Sequence, residues 1–185
     1  NEVVEAIFKI FPTTWQNVFL QKRFDNPTWI SLKGDDKSSI NIVENGLKFK
    51  VQIDSRQNLG FFLDMKNGRK YIRENSSNKK VLNLFSYTCS LSVAALAGRA
   101  DQVCNVDMSK GALSWGRDNH RLNDQDLQKI KFMSHDILKS LKNISNKGPF
   151  DTVIIDPPSN QGKSFKVENG YPKVIRRLPE MIVDG

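Results

Sequence analysis

Cysteine is scarce in this 185-residue chain: only Cys89 and Cys104 occur, neither spaced against another Cys or a His. That pattern excludes a disulfide framework and a zinc site, no metal is expected, and two thiols in apolar surroundings read as inert core residues. Long apolar runs are missing as well, so no stretch reaches the length of a membrane-spanning helix. The first residues also lack the charged-then-apolar order of a signal peptide. The cytoplasm is the expected location, with no membrane partner. Internal repeats and low-complexity tracts are absent. With 38% hydrophobic and 26% charged residues, the composition is that of a globular protein, long enough for one domain with its own core plus a small appendage.

Positive charge is what the chain has in surplus: the formal net charge is +8 and the pI about 9.5. Between Lys66 and Lys80 six basic residues (Lys66, Arg69, Lys70, Arg73, Lys79, Lys80) face one acid, Glu74, which concentrates +5 of the +8 there. Such a surplus favours a polyanionic partner, and the run reads equally as a solvated face or as an RNA contact.

The first 55 residues read as a small α+β appendage. Val3, Val4, Ile7, Phe8 and Phe11 stand at helical spacing until Pro12. Val18 to Phe24 and Trp29 to Leu32 favour strands around an Asn26-Pro27 turn. Ser39 to Val43 leads through Asn45-Gly46, a dipeptide suited to a type I′ turn, into the alternating run Leu47, Phe49, Val51, Ile53. Residues 56–80 read as a basic connector. Past Lys80, strands at 81–85, 102–106, 130–133 and 152–155 alternate with helices at 92–97, 110–122 and 137–145. This alternation predicts an α/β fold: a Rossmann-like, doubly wound parallel sheet over residues 81–185, with helices on both faces.

In such a sheet ligands sit at the carboxyl ends of the strands, where strand order reverses. Residues 86 to 92, which leave the first strand of the core, contain no glycine. A dinucleotide pyrophosphate needs glycine for close backbone approach, so NAD and FAD are disfavoured, and a cofactor without phosphates, such as S-adenosylmethionine, is allowed. Asp107, some two dozen residues past Asn83, is placed to accept hydrogen bonds from ribose hydroxyls or to cap the next helix with Ser109. Asp136 could accept from an adenine amine or cap the helix starting at Ile137. His135 reads as a packing or surface residue. Asp156-Pro157-Pro158-Ser159 follows the apolar run Val153-Ile154-Ile155, and two prolines there hold a rigid, extended platform suited to gripping a flat base.

Together Val81-Leu82-Asn83-Leu84-Phe85-Ser86-Tyr87-Thr88, Val106-Asp107-Met108-Ser109, Asn119 to Asn123 and Asp156-Pro157-Pro158-Ser159 resemble the signature blocks of a class I S-adenosylmethionine-dependent methyltransferase group. That group is the large-subunit (23S) ribosomal RNA methyltransferases, which make 5-methylcytosine or 7-methylguanine. Gly60-Phe61-Phe62-Leu63-Asp64-Met65-Lys66 looks like its Gly-x-Phe-Leu-Asp-x-Arg segment, and the resemblance covers roughly residues 44 to 183. It implies that Ser86, Tyr87 and Thr88 line the methionine end of the cofactor. Asp107, with Met108 beside it, would hold the ribose and Asp136 the adenine. Asp156, Pro157 and Pro158 would face the sulfonium and the target base, and Asp64 and Arg69 would close the pocket.

The chain departs from the group's pattern at Cys89-Ser90, where Gly-Gly is usual, and at Lys66, where Arg is usual. Members of the group continue with three more strands past the position of Gly185, so a partial core is expected. A 5-methylcytosine reaction needs a cysteine nucleophile, and neither Cys89 nor Cys104 is well placed. The expected partner is RNA, most simply ribosomal. A methyltransferase of small molecules or proteins and a catalytically silent RNA-binding module of the same fold are the competing readings.

Overall fold

The computed structural model describes residues 2–10, 17–22, 28–34, 39–53, 58–158, 160–161 and 165–183. The expected breaks at Pro12 and Asn26-Pro27, the start of the connector at Arg56-Gln57, and Ser159 lie outside the described residues.

Two compact units are present: residues 1–40 with 51–59, and residues 41–50 with 60–185. The first holds helix α1 (Glu2–Ile10), in which Phe8 faces the ammonium of Lys33 at 5.8 Å, and the antiparallel pair β1 (Val18–Lys22) and β2 (Thr28–Lys33). A hairpin of β3 (Ser39–Glu44) and β4 (Leu47–Gln52) follows. Its turn residues Asn45 and Gly46 have φ of 52° and 78°, the left-handed pair a type I′ turn demands.

The second unit carries a 3₁₀ turn (Leu63–Met65), α2 (Lys66–Glu74), β5 (Lys80–Leu84), α3 (Ser90–Ala97), β6 (Gln102–Asp107), α4 (Lys110–Leu122), β7 (Ile130–Ser134), α5 (Ile137–Ser145) and β8 (Thr152–Ile155). A short pair, β9 (Asn160–Gln161) and β10 (Phe165–Lys166), then leads into α6 (Val167–Arg177). Four strands form one parallel sheet in the order β7-β6-β5-β8. The chain steps outward from β5 to β6 to β7, then crosses back to the far side of β5. That reversal is the switch point, and it lies between β5 and β6 on one side and β8 on the other.

Side chains of the sheet alternate between two cores, as the two-residue strand period requires. Leu82, Leu84, Cys104 and Val106 pack with Ile137 and Ile144 of α5 and Val174 of α6. Val81, Val103 and Ile130 pack with Ala95 of α3. Helices therefore cover both faces, the Rossmann-like arrangement. Among the described residues no helix is long and apolar enough to cross a membrane.

Two elements differ from the sequence expectation. Residues 66–74, read as connector, form a helix whose buried member is Arg69 rather than an apolar stripe, so the hydrophobic periodicity that marks a helix is absent. The hairpin, read as part of the appendage, divides between the units, because α4 holds its second strand by the backbone. Asn123 accepts from the Lys48 N–H at 2.9 Å and donates to the Lys48 carbonyl at 2.7 Å, as a neighbouring strand would. Asn119 accepts from the Lys50 N–H at 2.9 Å, and the Trp115 indole donates to the Lys50 carbonyl at 3.0 Å. Residues 115, 119 and 123 lie four apart on one helical face.

Beneath this face His120 is fully buried, with Nδ1 2.6 Å from Gln125 Oε1 and Nε2 3.0 Å from the Ser92 hydroxyl. Burial lowers its pKa from 6.5 to about 4, against a smaller opposing effect of the Gln125 bond. A histidine kept neutral in the fold contributes stability that is full above pH 6.5 and is lost as pH falls toward 4, because the unfolded chain takes the proton first. The wild type is expected to lose about 3 kcal/mol across that window beyond the loss in His120→Gln, measured as the difference in slope of urea-unfolding free energy against pH. Parallel slopes would contradict the assignment.

Candidate active site

Because the four strands are parallel, their carboxyl ends share one edge. The register pairs Leu84 with Val106 on one side and with Ile155 on the other, so Asp107 and Asp156, each one residue further on, flank the end of β5. Two acids distant in sequence are thereby brought to the switch point.

The loop leaving β5 compensates for its lack of glycine in an unusual way. Phe85, Tyr87 and Cys89 all take positive φ (56°, 46° and 63°), a region that disfavours side chains. Tertiary contacts hold them there. The Ser86 N–H donates to the Val106 carbonyl at 3.1 Å and the Cys89 N–H to the Ser86 carbonyl at 2.7 Å. The Thr88 hydroxyl donates to the Gly60 carbonyl at 2.7 Å, and Asn119 Nδ2 donates to the Thr88 carbonyl at 2.9 Å. Cys89 is fully buried against α4, where a Cβ on Gly116 would stand 2.3 Å from its sulfur.

Cys89 thus occupies the left-handed turn in place of the glycine usual in the resembling group, and a glycine on the facing helix supplies the room. Gly116→Ala is expected to cost about 1–3 kcal/mol through this clash. Cys89→Gly in the same chain should recover most of that in chemical denaturation; strictly additive losses would show that the two positions do not meet.

Asp107 is buried at the mouth of this loop. One carboxylate oxygen accepts from the Tyr87 N–H at 3.0 Å and the other from the Ser109 N–H at 2.8 Å. Helix α4 is capped instead by Ser109, whose hydroxyl accepts from the Ala112 N–H at 3.1 Å. Asp107 is therefore not the side-chain cap, and each of its oxygens keeps an acceptor site to spare.

Asp136 does cap α5, accepting from the Lys139 N–H at 3.3 Å. It also lines a narrow cleft with Phe85, Met108, His135 and Phe165, so the ends of β5, β6 and β7 converge there. The His135 N–H donates to the Asp107 carbonyl at 3.1 Å, which fixes one side of the cleft to the other.

Across the edge Asp156 is largely exposed, and Pro157 and Pro158 follow it past the end of β8. Partial burial, and then the charge of the nearby Asp64, push the Asp156 pKa up. Asp64 arrives from the 3₁₀ turn above, preceded by Phe62, whose ring lies 5.7 Å from that of Tyr87. Gly60 anchors this roof: its φ is +89°, and a Cβ there would stand 2.0 Å from the Trp115 ring.

Ten of the eleven candidate residues, Asp64, Ser86, Tyr87, Thr88, Asp107, Met108, Asp136, Asp156, Pro157 and Pro158, therefore gather at one edge. Arg69 does not join them. It is 2% exposed, donates to both Glu44 oxygens at 2.7 and 2.9 Å, and stacks 4.0 Å from the Phe61 ring, so its charge is spent locking α2 to the hairpin. Sequence reasoning missed the roles of Trp115, Gly116, Asn119 and Asn123; the four-residue spacing of 115, 119 and 123 was visible, but nothing in it names a strand as the partner, and nothing ties Gly116 to Cys89.

Residues 12–185 match a family described as S-adenosylmethionine-dependent methyltransferase. The chain is 42% identical over 118 residues to "Ribosomal RNA large subunit methyltransferase I" of Aeromonas salmonicida, covering 63% of this chain and 30% of that protein. It is 35% identical over 165 residues to the protein of the same name from Pseudoalteromonas translucida, covering 85% and 42%. Among solved structures, SMU.776 complexed with SAH superposes with a TM-score of 0.89 at 29% identity, over 99% of this chain and 49% of that one. The chain spans less than half the length of each of these three proteins. With the match covering nearly all of its length, it belongs to the S-adenosylmethionine-dependent methyltransferase family.

Proposed function

We propose that this chain binds S-adenosylmethionine at the carboxyl edge of its sheet and takes part in methylating a base of large-subunit ribosomal RNA, in the cytoplasm. The observation that carries the reading is Asp107: a buried carboxylate held by two backbone N–H groups, with spare acceptor sites, beside a cleft lined by Met108 and Asp136. Such an acid suits the two hydroxyls of a ribose. The glycine-free loop offers no phosphate cradle, which fits a cofactor that has none. The relatives named ribosomal RNA methyltransferases and the structural neighbour holding SAH support both halves of the proposal.

When bound, S-adenosylmethionine supplies an electrophilic methyl group. The chain's residues do the positioning. The Ser86 to Thr88 backbone lines the methionine end, since the Ser86 and Thr88 side chains are buried and the Thr88 hydroxyl already serves Gly60. Asp64 and Asp156, close enough for one to raise the pKa of the other, would offer carboxylates to a sulfonium held at this edge. Pro157 and Pro158 restrict the backbone at that edge, which would let them position a base laid against it. Arg69 contributes indirectly, by fixing α2 below the Phe62–Asp64 roof.

The target is a base of the 5-methylcytosine or 7-methylguanine type. Burial pushes the Cys89 thiol up to about 12 and the Cys104 thiol up to about 11, so neither is a thiolate at neutral pH. Methylation at cytosine C5 would need thiolate addition at C6 by a thiol other than these two. Incubation with tritiated-methyl S-adenosylmethionine and unmodified large-subunit RNA should place label in methylcytosine or methylguanine after nucleoside digestion. Label only in protein or small molecules would move the activity to another substrate class, and RNA retained without label would leave a silent binding module.

A further inference from the structure

Helix α2 presents a face that the cofactor site does not use. Tyr71 is 65% exposed and Phe62, just before the helix, 45% exposed, both large for rings left in water. Lys66 and Lys70, exposed one turn apart, form a row on the adjoining side of the helix, Lys70 about 100° round from Tyr71. The Lys70 ammonium meets Glu74 only at 3.7 Å, with both side chains more than half in water, a pair too weak to occupy it. Alongside the second half of α2 opens a concave pocket of about 470 Å³, where Lys70, Arg73 and Arg99 meet the acids Glu44 and Glu74, and where the Arg73 guanidinium also donates to the Asn45 carbonyl at 2.8 Å. The near end abuts the site, since Phe62 touches Tyr87 and Asp64 acts on Asp156.

Resting on RNA as the substrate, we infer that this face is a track for the single strand that delivers the target base. Bases stack on Phe62 and Tyr71, and the backbone runs past Lys66 and Lys70 into the basic pocket at Arg73 and Arg99. Exposed rings beside a row of cations are what single-stranded nucleic acid needs, because every base offers a stacking face and every phosphate a charge. The helix, about 13 Å long, reaches from the reacting edge to the pocket. Arg69, buried and paired, takes no part, so the cations that matter are fewer than the sequence count suggests.

The test is the affinity of the chain for a fluorescein-labelled 12-nucleotide single-stranded RNA, measured by anisotropy over a range of salt. Tyr71→Ala should weaken binding about tenfold with the salt slope unchanged. Lys70→Ala with Arg99→Ala should weaken binding and flatten the slope of log K against log salt by about 1.4, roughly 0.7 for each cation removed. Wild-type affinity and slope in both variants would overturn the track. A loss in the lysine–arginine variant with none in Tyr71→Ala would also overturn it, and would mark a surface for polyanions at large, acidic proteins included. S-adenosylhomocysteine binding, measured on the same samples, should be unchanged by either variant. RNA binding through these residues by a chain that binds no S-adenosylhomocysteine would sink the methyltransferase reading and leave the track standing.

Discussion

Asp107→Ala is expected to weaken S-adenosylhomocysteine binding by about 2–4 kcal/mol, or about 30- to 700-fold in Kd. Two hydrogen bonds from ribose hydroxyls to a charged acceptor account for most of that loss. A further part comes from the loop, because the Tyr87 and Ser109 N–H groups lose their acceptor together. Tyr87 holds a positive φ, and releasing its N–H removes one of the contacts that keep it there. Asp107→Asn separates the two contributions: the amide keeps one acceptor oxygen but turns a donor toward one of the two N–H groups. It should therefore lose affinity as well, which a purely steric role for the side chain would not require. Calorimetric titration reads both variants, and an affinity equal to wild type in Asp107→Ala would show that the ribose site lies elsewhere.

Glu44→Ala should destabilise the second unit strongly, costing about 3–5 kcal/mol. The mutation leaves the Arg69 guanidinium buried between Phe49 and Phe61 with no counter-charge, and that desolvated cation, more than the lost attraction, sets the magnitude. Replacing both partners with apolar residues of similar volume, Glu44→Leu with Arg69→Met, should recover most of the loss. Urea denaturation gives the stabilities. Hydrogen exchange at the Lys48 and Lys50 amides, which α4 holds through Asn123 and Asn119, shows whether the hairpin opens. If the single and double variants lose equal stability, the pair is not the lock described above.

Much of the core was legible because hydrophobic period and capping residues agree there. Ser109 and Asp136 mark the starts of α4 and α5, and the apolar run from Thr152 to Ile155 could be little other than a strand, though the structure leaves it half-buried at the sheet's edge. Where the two signals part, reading the chain failed. Helix α2 turns a charged residue inward, so no periodicity announces it. The left-handed residues Phe85, Tyr87 and Cys89 carry side chains where glycine is the usual signal. Only Gly116, far along the chain, explains how Cys89 is tolerated.

At the site, the acids at strand ends could be picked out from position alone, yet their roles diverge in ways that position does not encode. Asp136 caps a helix, Asp107 leaves that task to Ser109, and Arg69, counted among the cations of a pocket, is consumed by a hairpin glutamate 25 residues earlier. Pairing partners this distant are set by tertiary packing, which a single sequence does not display.

Titration of S-adenosylhomocysteine into the 185-residue chain tests the central claim most directly. A saturable heat corresponding to one site per chain, with none from NADH under the same conditions, is the expected result. No heat and no thermal shift at millimolar S-adenosylhomocysteine would contradict it.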